Sequence, residues 1–418
     1  MLFGVLPHAV SGNDDQQRFD DLQELLRHGH LSDGRYSLVG PVLSTPVVLL
    51  GRVVKSEEWW AAHFNVLLVA AGALVVWRLL RDRVDAALLR HALLVLLSAS
   101  LLTNALRSYA TEVTTATLVV VGVCCIATGR YPTAGWVAVV VAAVNTPAVA
   151  VALVPFAGYE AFRTKRLRPF AWLALAVVLV MSEAWLRRGS PFDSGYNGER
   201  GFRTVLPYSG KPEFSYPLLL GIASILFSFG RGLLFFAPGL LLWFDSRIRR
   251  GAADIRPVLV PTLLVTLGLV LVYAKWWAWY GGITWGPRFF TFVAVPASLL
   301  VAVSIRRAGA SLAADLLVLT VLSLSAWVGV LGAVSDYSQL PFCTVNDYAL
   351  ESMCWYVPEF SSLWWPILHP PGLTPRVTIL VVWCFVVFAY LALPLVHAIA
   401  SSLRERVAPA AWLHGWRL

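Results

Sequence analysis

The chain has 418 residues, 58% of them hydrophobic and only 14% charged, with a mean hydropathy of +0.69. That balance excludes an ordinary soluble domain and indicates a polytopic membrane protein. The net charge of +9 comes with no RNA- or DNA-binding motif, so it points to cytoplasmic loops beside anionic lipid and not to nucleic acid.

Residues 1–10 are apolar but too short to cross a bilayer. They lack the basic start and small-residue cleavage site of a signal peptide. They read as the outer end of a first span, either one that starts upstream of the given sequence or one that is unusually short. The polar segment 11–58 follows. An amphipathic helix is expected at 16–27, and an apolar stretch at 36–54 carries Gly40, Pro41 and Pro46, which suits a broken or interfacial helix. Further spans are expected at about 59–78, 91–107, 113–128, 133–145, 148–162, 169–186, 230–245, 257–274, 289–305, 311–333 and 376–400. The pair over 133–162 turns at Asn145, Thr146 and Pro147 and reads as a hairpin of short helices.

Basic clusters then set the sidedness. Arg78, Arg81, Arg83 and Arg90 form one; Arg163, Lys165, Arg166 and Arg168 another; Arg247, Arg249, Arg250 and Arg256 a third. Arg306 with Arg307, and Arg404 with Arg406, complete the set. One alternating topology puts all of them on the same face, which the positive-inside rule makes cytoplasmic. The opposite face receives 11–58, the turn near Glu112, and the loops 187–229, 275–288 and 334–375. Only four of the 33 basic residues are Lys, a usage in keeping with a GC-rich bacterial genome and hence a bacterial plasma membrane.

The chemically mixed residues collect on that outer face. Asp14 and Asp15 follow the first apolar run, and paired carboxylates there suit a general base, an acceptor orienter or a metal ligand. A helix N-cap is the equally weighted structural alternative. Glu112 opens a span, where it either complements the helix dipole or partners the Asp pair. Segment 275–288 reads Lys-Trp-Trp-Ala-Trp-Tyr-Gly-Gly-Ile-Thr-Trp-Gly-Pro-Arg. Its rings, Trp276, Trp277, Trp279, Tyr280 and Trp285, suit a sugar or lipid, and its cations, Lys275 and Arg288, suit a phosphate. An interfacial aromatic belt is the competing account. Arg231 sits between two glycines in Ser-Phe-Gly-Arg-Gly at 228–232, placed either to grip a phosphate or to snorkel to headgroups. The loop 187–216 mixes polar and aromatic residues and could line an acceptor groove. Cys343 and Cys354 flank a polar outer loop, where a disulfide is expected. Cys124, Cys125 and Cys384 lie in apolar runs as packing residues. No metal-ligand spacing, Ser-His-Asp arrangement, P-loop or dinucleotide fingerprint occurs. His8 and His63 lie nearest the acids and read as structural.

This layout resembles the C-type (GT-C) membrane glycosyltransferases, among them protein O-mannosyltransferases, lipid A aminoarabinose transferases and actinobacterial arabinosyl- or mannosyltransferases. The resemblance rests on the acidic pair after the first span, the run Arg-Tyr-Ser-Leu-Val-Gly-Pro-Val-Leu-Ser-Thr-Pro-Val-Val-Leu-Leu-Gly at 35–51, and the acid at Glu112. Phe-Ser-Tyr-Pro at 214–217, Ser-Phe-Gly-Arg-Gly-Leu-Leu-Phe-Phe-Ala-Pro at 228–238 and Trp-Tyr-Gly-Gly-Ile-Thr-Trp-Gly-Pro-Arg at 279–288 add to it.

It implies an all-α polytopic bundle of about 11–12 spans, one transmembrane domain over 1–418, with extracytoplasmic loops and amphipathic helices. It also implies transfer, with inversion, of a mannose- or arabinofuranose-class sugar from a polyprenyl-phosphate donor to a glycan, lipid or protein hydroxyl at the outer face. Asp14, Asp15 and Glu112 would be the catalytic acids, with Arg231, Lys275 and Arg288 on the donor phosphate. Asp-Asp replaces the Asp-Glu common in the mannosyltransferases, and the large C-terminal domain of some arabinosyltransferases is absent from this sequence. A divalent cation is left open, since Asp14 and Asp15 alone make no complete ligand set. A lipid-carrier flippase is the alternative, and it predicts charged groups deep within the spans, where this sequence has almost none. A catalytically dead scaffold of the same fold would have lost its acids, and these remain.

Overall fold

The computed structural model describes residues 8–10, 13–282, 284–335, 341–370 and 372–412. Residues 1–7 of the expected first span lie outside this set. Among the described residues the secondary structure is helical, with two isolated bridges and no strand. This is the expected all-α polytopic architecture, because a bilayer leaves a backbone no partner except itself.

Two helices precede the first long span: α1 (Asn13–His28) and the apolar α2 (Val39–Leu50). The bundle then runs through α3 (Glu57–Leu80), α4 (Ala86–Ser98), α5 (Thr111–Thr128), α6 (Pro132–Asn145), α7 (Val154–Thr164) and α8 (Arg168–Arg188). It continues with α9 (Leu218–Phe227), α10 (Arg256–Tyr273), α11 (Ala294–Ile305), α12 (Leu312–Val334) and α13 (Pro375–Trp412). Among the described residues, seven helices are long and apolar enough to cross a membrane, and four shorter apolar helices accompany them.

The central crossing is Arg288–Ile305, with 83% of its apolar window buried, whereas Arg168–Arg188 is peripheral at 22%. Helices approach closely where glycine removes a side chain. A Cβ on Gly122 of α5 would stand 2.7 Å from the Gly135 carbonyl of α6, and one on Gly135 would stand 2.7 Å from the Gly122 carbonyl.

Four expected spans depart from a continuous α-helix; that at 148–162 turns at Leu153. The one at 91–107 breaks after Ser98, where Ser98 and Ser100 turn their hydroxyls onto backbone carbonyls and Thr103 bonds the Gly329 carbonyl at 2.8 Å. The span expected at 230–245 is not continuous. A helix already forms at Leu218–Phe227, inside the stretch expected to be loop. The chain then extends past Gly230, whose Cβ would stand 1.9 Å from the Cys354 carbonyl, and resumes as short helical pieces. The crossing at 289–305 opens with a 3-10 turn, Arg288–Val293.

One end of the bundle is tied by its basic loops. Arg306 lies 3.5 Å from Asp85 and 3.7 Å from Asp254, Arg247 bonds Ser311, and Arg130 bonds the Arg78 carbonyl. At the other end, Arg187 and Arg188 of α8 hold the backbone of Ser32, Tyr36 and Gly34, pinning the link between α1 and α2.

Candidate active site at the acidic end of the bundle

Asp14 and Asp15 stand in the first turn of α1, and Glu112 in the first turn of α5. Acids favour such positions because they face unpaired N–H groups and the positive end of the dipole. The start of α5 is fixed by Asn145, which accepts from Gly40 N at 2.8 Å and donates to Thr115 Oγ1 at 2.8 Å and the Thr111 carbonyl at 3.3 Å. Asn65 donates to the carbonyls of Ser108 and Ala110 just before it.

Arg288, at the head of the central crossing, joins the two acidic helix ends. Its guanidinium lies 2.5 Å from Asp14 and 3.8 Å from Glu112. Arg35 approaches Asp14 at 3.9 Å and pairs with Glu199. Arg18 binds Asp15 at 3.0 Å, one turn along α1, and covers the Tyr36 ring at 4.2 Å. The guanidinium of Arg35 also lies over the Tyr36 ring, at 4.9 Å. Tyr196 stands edge-on to Tyr36 at 6.4 Å and to Trp276 at 5.7 Å, so segment 195–200 covers one side of the cluster.

The two neighbouring aspartates have opposite electrostatics. Burial pushes the Asp14 carboxyl up, but Arg288, Tyr36 and Arg18 together outweigh it and hold the group at about 2. Asp15 is only 7% exposed, and burial, with help from Glu112 and Asp14, lifts it to about 6 against the pull of Arg18. Asp14 is therefore the open, fully ionised carboxylate, and Asp15 the enclosed one. A crevice of about 20 Å³, lined by Glu112, Thr115 and Thr146 and floored by Leu269, Tyr273 and Phe292, leads inward from the cluster; it has room for about one water.

The structure thus gathers Asp14, Asp15, Glu112 and Arg288. Lys275 is exposed, with its carbonyl accepting from Tyr216 N. Trp276 and Trp277 are half-buried next to the cover segment. Three rings expected to face a ligand do not: Trp279, Tyr280 and Trp285 are 1%, 3% and 6% exposed. Their faces are occupied, with Trp355 stacked on Tyr280 at 4.0 Å and Phe236 edge-on to Trp285 at 5.4 Å.

Arg231 also departs from expectation. It is 3% exposed, and its guanidinium donates to the carbonyls of Gly286 at 2.9 Å and Gly282 at 3.2 Å. Near it Glu351, 2% exposed, accepts from the Tyr280 hydroxyl at 3.1 Å. Burial lifts Glu351 to about 7, with Tyr280 and Arg231 drawing it back down.

Cys343 and Cys354 form a disulfide pair, their Cα atoms 5.8 Å apart, while Cys124, Cys125 and Cys384 are buried thiols. His8 and His63 stack at 4.2 Å beside Trp59, consistent with packing roles. Among the described residues no group of three His, Cys, Asp or Glu is arranged to hold a metal ion.

Arg18, Arg35, Tyr36, Tyr196 and Glu199 were not singled out from sequence for the acidic cluster. The Arg-Tyr pair at 35–36 opening an otherwise apolar run was the signal available for two of them.

No family model and no curated protein matches the chain. Among solved structures, the chain is similar to ArnT from Cupriavidus metallidurans bound to undecaprenyl phosphate. The identity is 14% and the TM-score 0.52, covering 96% of this chain and 75% of that one. The same protein in its apo state aligns at 15% identity and TM-score 0.48, covering 95% and 75%. The likeness shows that the chain shares its fold with that protein.

Proposed function

We propose that the chain is a membrane glycosyltransferase that moves a sugar from a polyprenyl-phosphate donor to an acceptor hydroxyl at the extracytoplasmic face. The observation that carries this reading is the Asp14–Arg288–Glu112 cluster, where one guanidinium is shared by two carboxylates at the helix ends. The shared fold with a protein bound to undecaprenyl phosphate supports the donor class.

The chemistry follows from that sharing. A donor phosphate competes with Asp14 for Arg288, and the guanidinium stabilises the charge that develops as the phosphate leaves. Asp14, freed of the cation that depresses its basicity, then accepts the proton of the acceptor hydroxyl. The base is thus switched on by donor binding. Attack opposite the leaving phosphate inverts the anomeric centre. Asp15, held by Arg18, keeps α1 in register, and Glu112 retains Arg288 when Asp14 lets go. Lys275, Trp276 and Trp277 are the exposed or half-exposed members of the aromatic segment and are assigned to the donor headgroup and sugar. Mannose and arabinofuranose are the classes proposed for that sugar.

Asp14→Asn tests the reading. In membranes supplied with radiolabelled polyprenyl-phosphate sugars, the variant should lose transfer by on the order of 10²–10⁴-fold while inserting normally. The Asp14→Asn, Asp15→Asn double variant serves as the stricter control. Undiminished transfer by the double variant removes the carboxylates from the mechanism.

A further inference from the structure

Arg231 is a buried cation in a segment of broken helix, and the mechanism above does not use it. It donates to the carbonyls of Gly282 and Gly286, which belong to the turn that leads into Arg288. The Gly286 carbonyl also receives the Arg288 backbone N–H at 3.1 Å, so one oxygen is shared by Arg231 and by the residue that meets the acids. The neighbouring glycines lie against the Arg288 side chain. A Cβ on Gly281 would stand 3.0 Å from Arg288 Cγ, and one on Gly282 would stand 3.9 Å from its guanidinium. Gly281, Gly282 and Gly286 have φ of +79°, +74° and +64°, a backbone that other residues rarely adopt. Such a turn needs external bonds to hold it.

Those bonds come from two places. Arg231 is fixed between Gly230, whose N–H donates to the Trp355 carbonyl at 2.9 Å, and Gly232, whose N–H donates to the Ser228 carbonyl. Glu351 holds Tyr280, the residue before the paired glycines, and Trp355 stacks on the same ring. Both anchors therefore lead to the loop stapled by Cys343 and Cys354.

We propose that Arg231 and Glu351 are positioning residues, which clamp the glycines at 281, 282 and 286 and so aim Arg288 at Asp14 and Glu112 without touching the donor themselves. This rests on the proposed transfer reaction for its kinetic consequence, but not for its structural one.

The test uses the full chain in nanodiscs, with Arg231→Gln, Arg231→Lys and Glu351→Gln. Amide hydrogen exchange is followed at 278–282 and 284–290, together with binding of undecaprenyl phosphate alone and turnover. Arg231→Gln and Glu351→Gln should speed exchange in that segment and leave α3 and α12 unchanged, with Arg231→Lys in between. Turnover should fall by on the order of 10²-fold, as misplacement of a reacting group does, with whatever weakening of undecaprenyl phosphate binding a mis-aimed Arg288 brings. In an Arg288→Gln background, Arg231→Gln should cost nothing further, because the two act as one unit.

Unchanged exchange overturns the clamp. So does a further loss of undecaprenyl phosphate binding by Arg231→Gln in the Arg288→Gln background, which would make Arg231 a direct phosphate ligand. If the wild-type chain transfers no sugar, the functional reading fails while the exchange measurement still decides the clamp.

Discussion

Asp14 and Asp15 are adjacent in sequence yet differ by their surroundings alone. Asp14 titrates at about 2, below its ordinary 3.8, so its contribution to stability is present above pH 4 and is lost as pH falls toward 2. The shift corresponds to about 2 kcal/mol before any allowance for partial exposure. Asp15 has the opposite sign. Its value is raised to about 6, so the native state gives up stability as pH rises from about 4 through 6. Removing the shared cation should separate these roles. Arg288→Gln is expected to lower transfer strongly and to move the acid limb of the residual kcat/KM profile, which reports the donor-free enzyme, upward by about one to two units, because Asp14 regains an ordinary basicity. An acid limb that stays in place would show that Asp14 is not the titrating base. The acidic residues of this site were legible in the sequence because carboxylates are few in so apolar a chain and these fall together on one face. Arg18 was not, since a cation on an amphipathic helix reads as its solvated face until tertiary packing buries it.

At the level of elements, the spans read best where apolar runs are unbroken and end in basic clusters, as at 57–80, 168–188 and 312–334. Sequence reading failed where glycine and serine cut a run, because hydropathy sums composition and does not register a backbone that must bend around a neighbour. Leu218–Phe227 is hidden in hydropathy for the same reason, its apolar run being short and flanked by polar and glycine residues. Gly268 of α10 marks a tight approach of this kind: a Cβ there would stand 2.0 Å from the Ala152 carbonyl, whereas Gly158 of α7 has open space. Gly268→Ala should therefore lower the melting temperature in detergent by several degrees, a cost of roughly 1–3 kcal/mol, while Gly158→Ala should leave it unchanged or raise it slightly. Equal melting of the two variants would contradict this packing. The disulfide is a second element-scale expectation. The two cysteines are separated by 11 residues, and closing a loop of that size stabilises by roughly 3 kcal/mol. Thiol reagents should label neither residue in intact, unreduced cells, and both after reduction.

For the whole molecule, the bonded network of basic loops at one end and the acidic cluster at the other give the bundle two chemically different faces. We propose, on the positive-inside rule, that the first faces the cytoplasm. Lys275→Cys should then react with a membrane-impermeant maleimide in intact cells and Arg249→Cys should not; the reverse pattern would invert the orientation. The acidic face holds one more consequence. Asp14, Asp15, Glu112 and Glu199 confront Arg18, Arg35 and Arg288, so this end of the bundle carries no surplus of positive charge. On the proposed reaction, a spent phosphate is held only while Asp14 is kept away from Arg288. When the glycosylated acceptor departs, the carboxylate is free to reclaim its partner and eject the carrier, so product release is driven by an internal competitor already built into the fold.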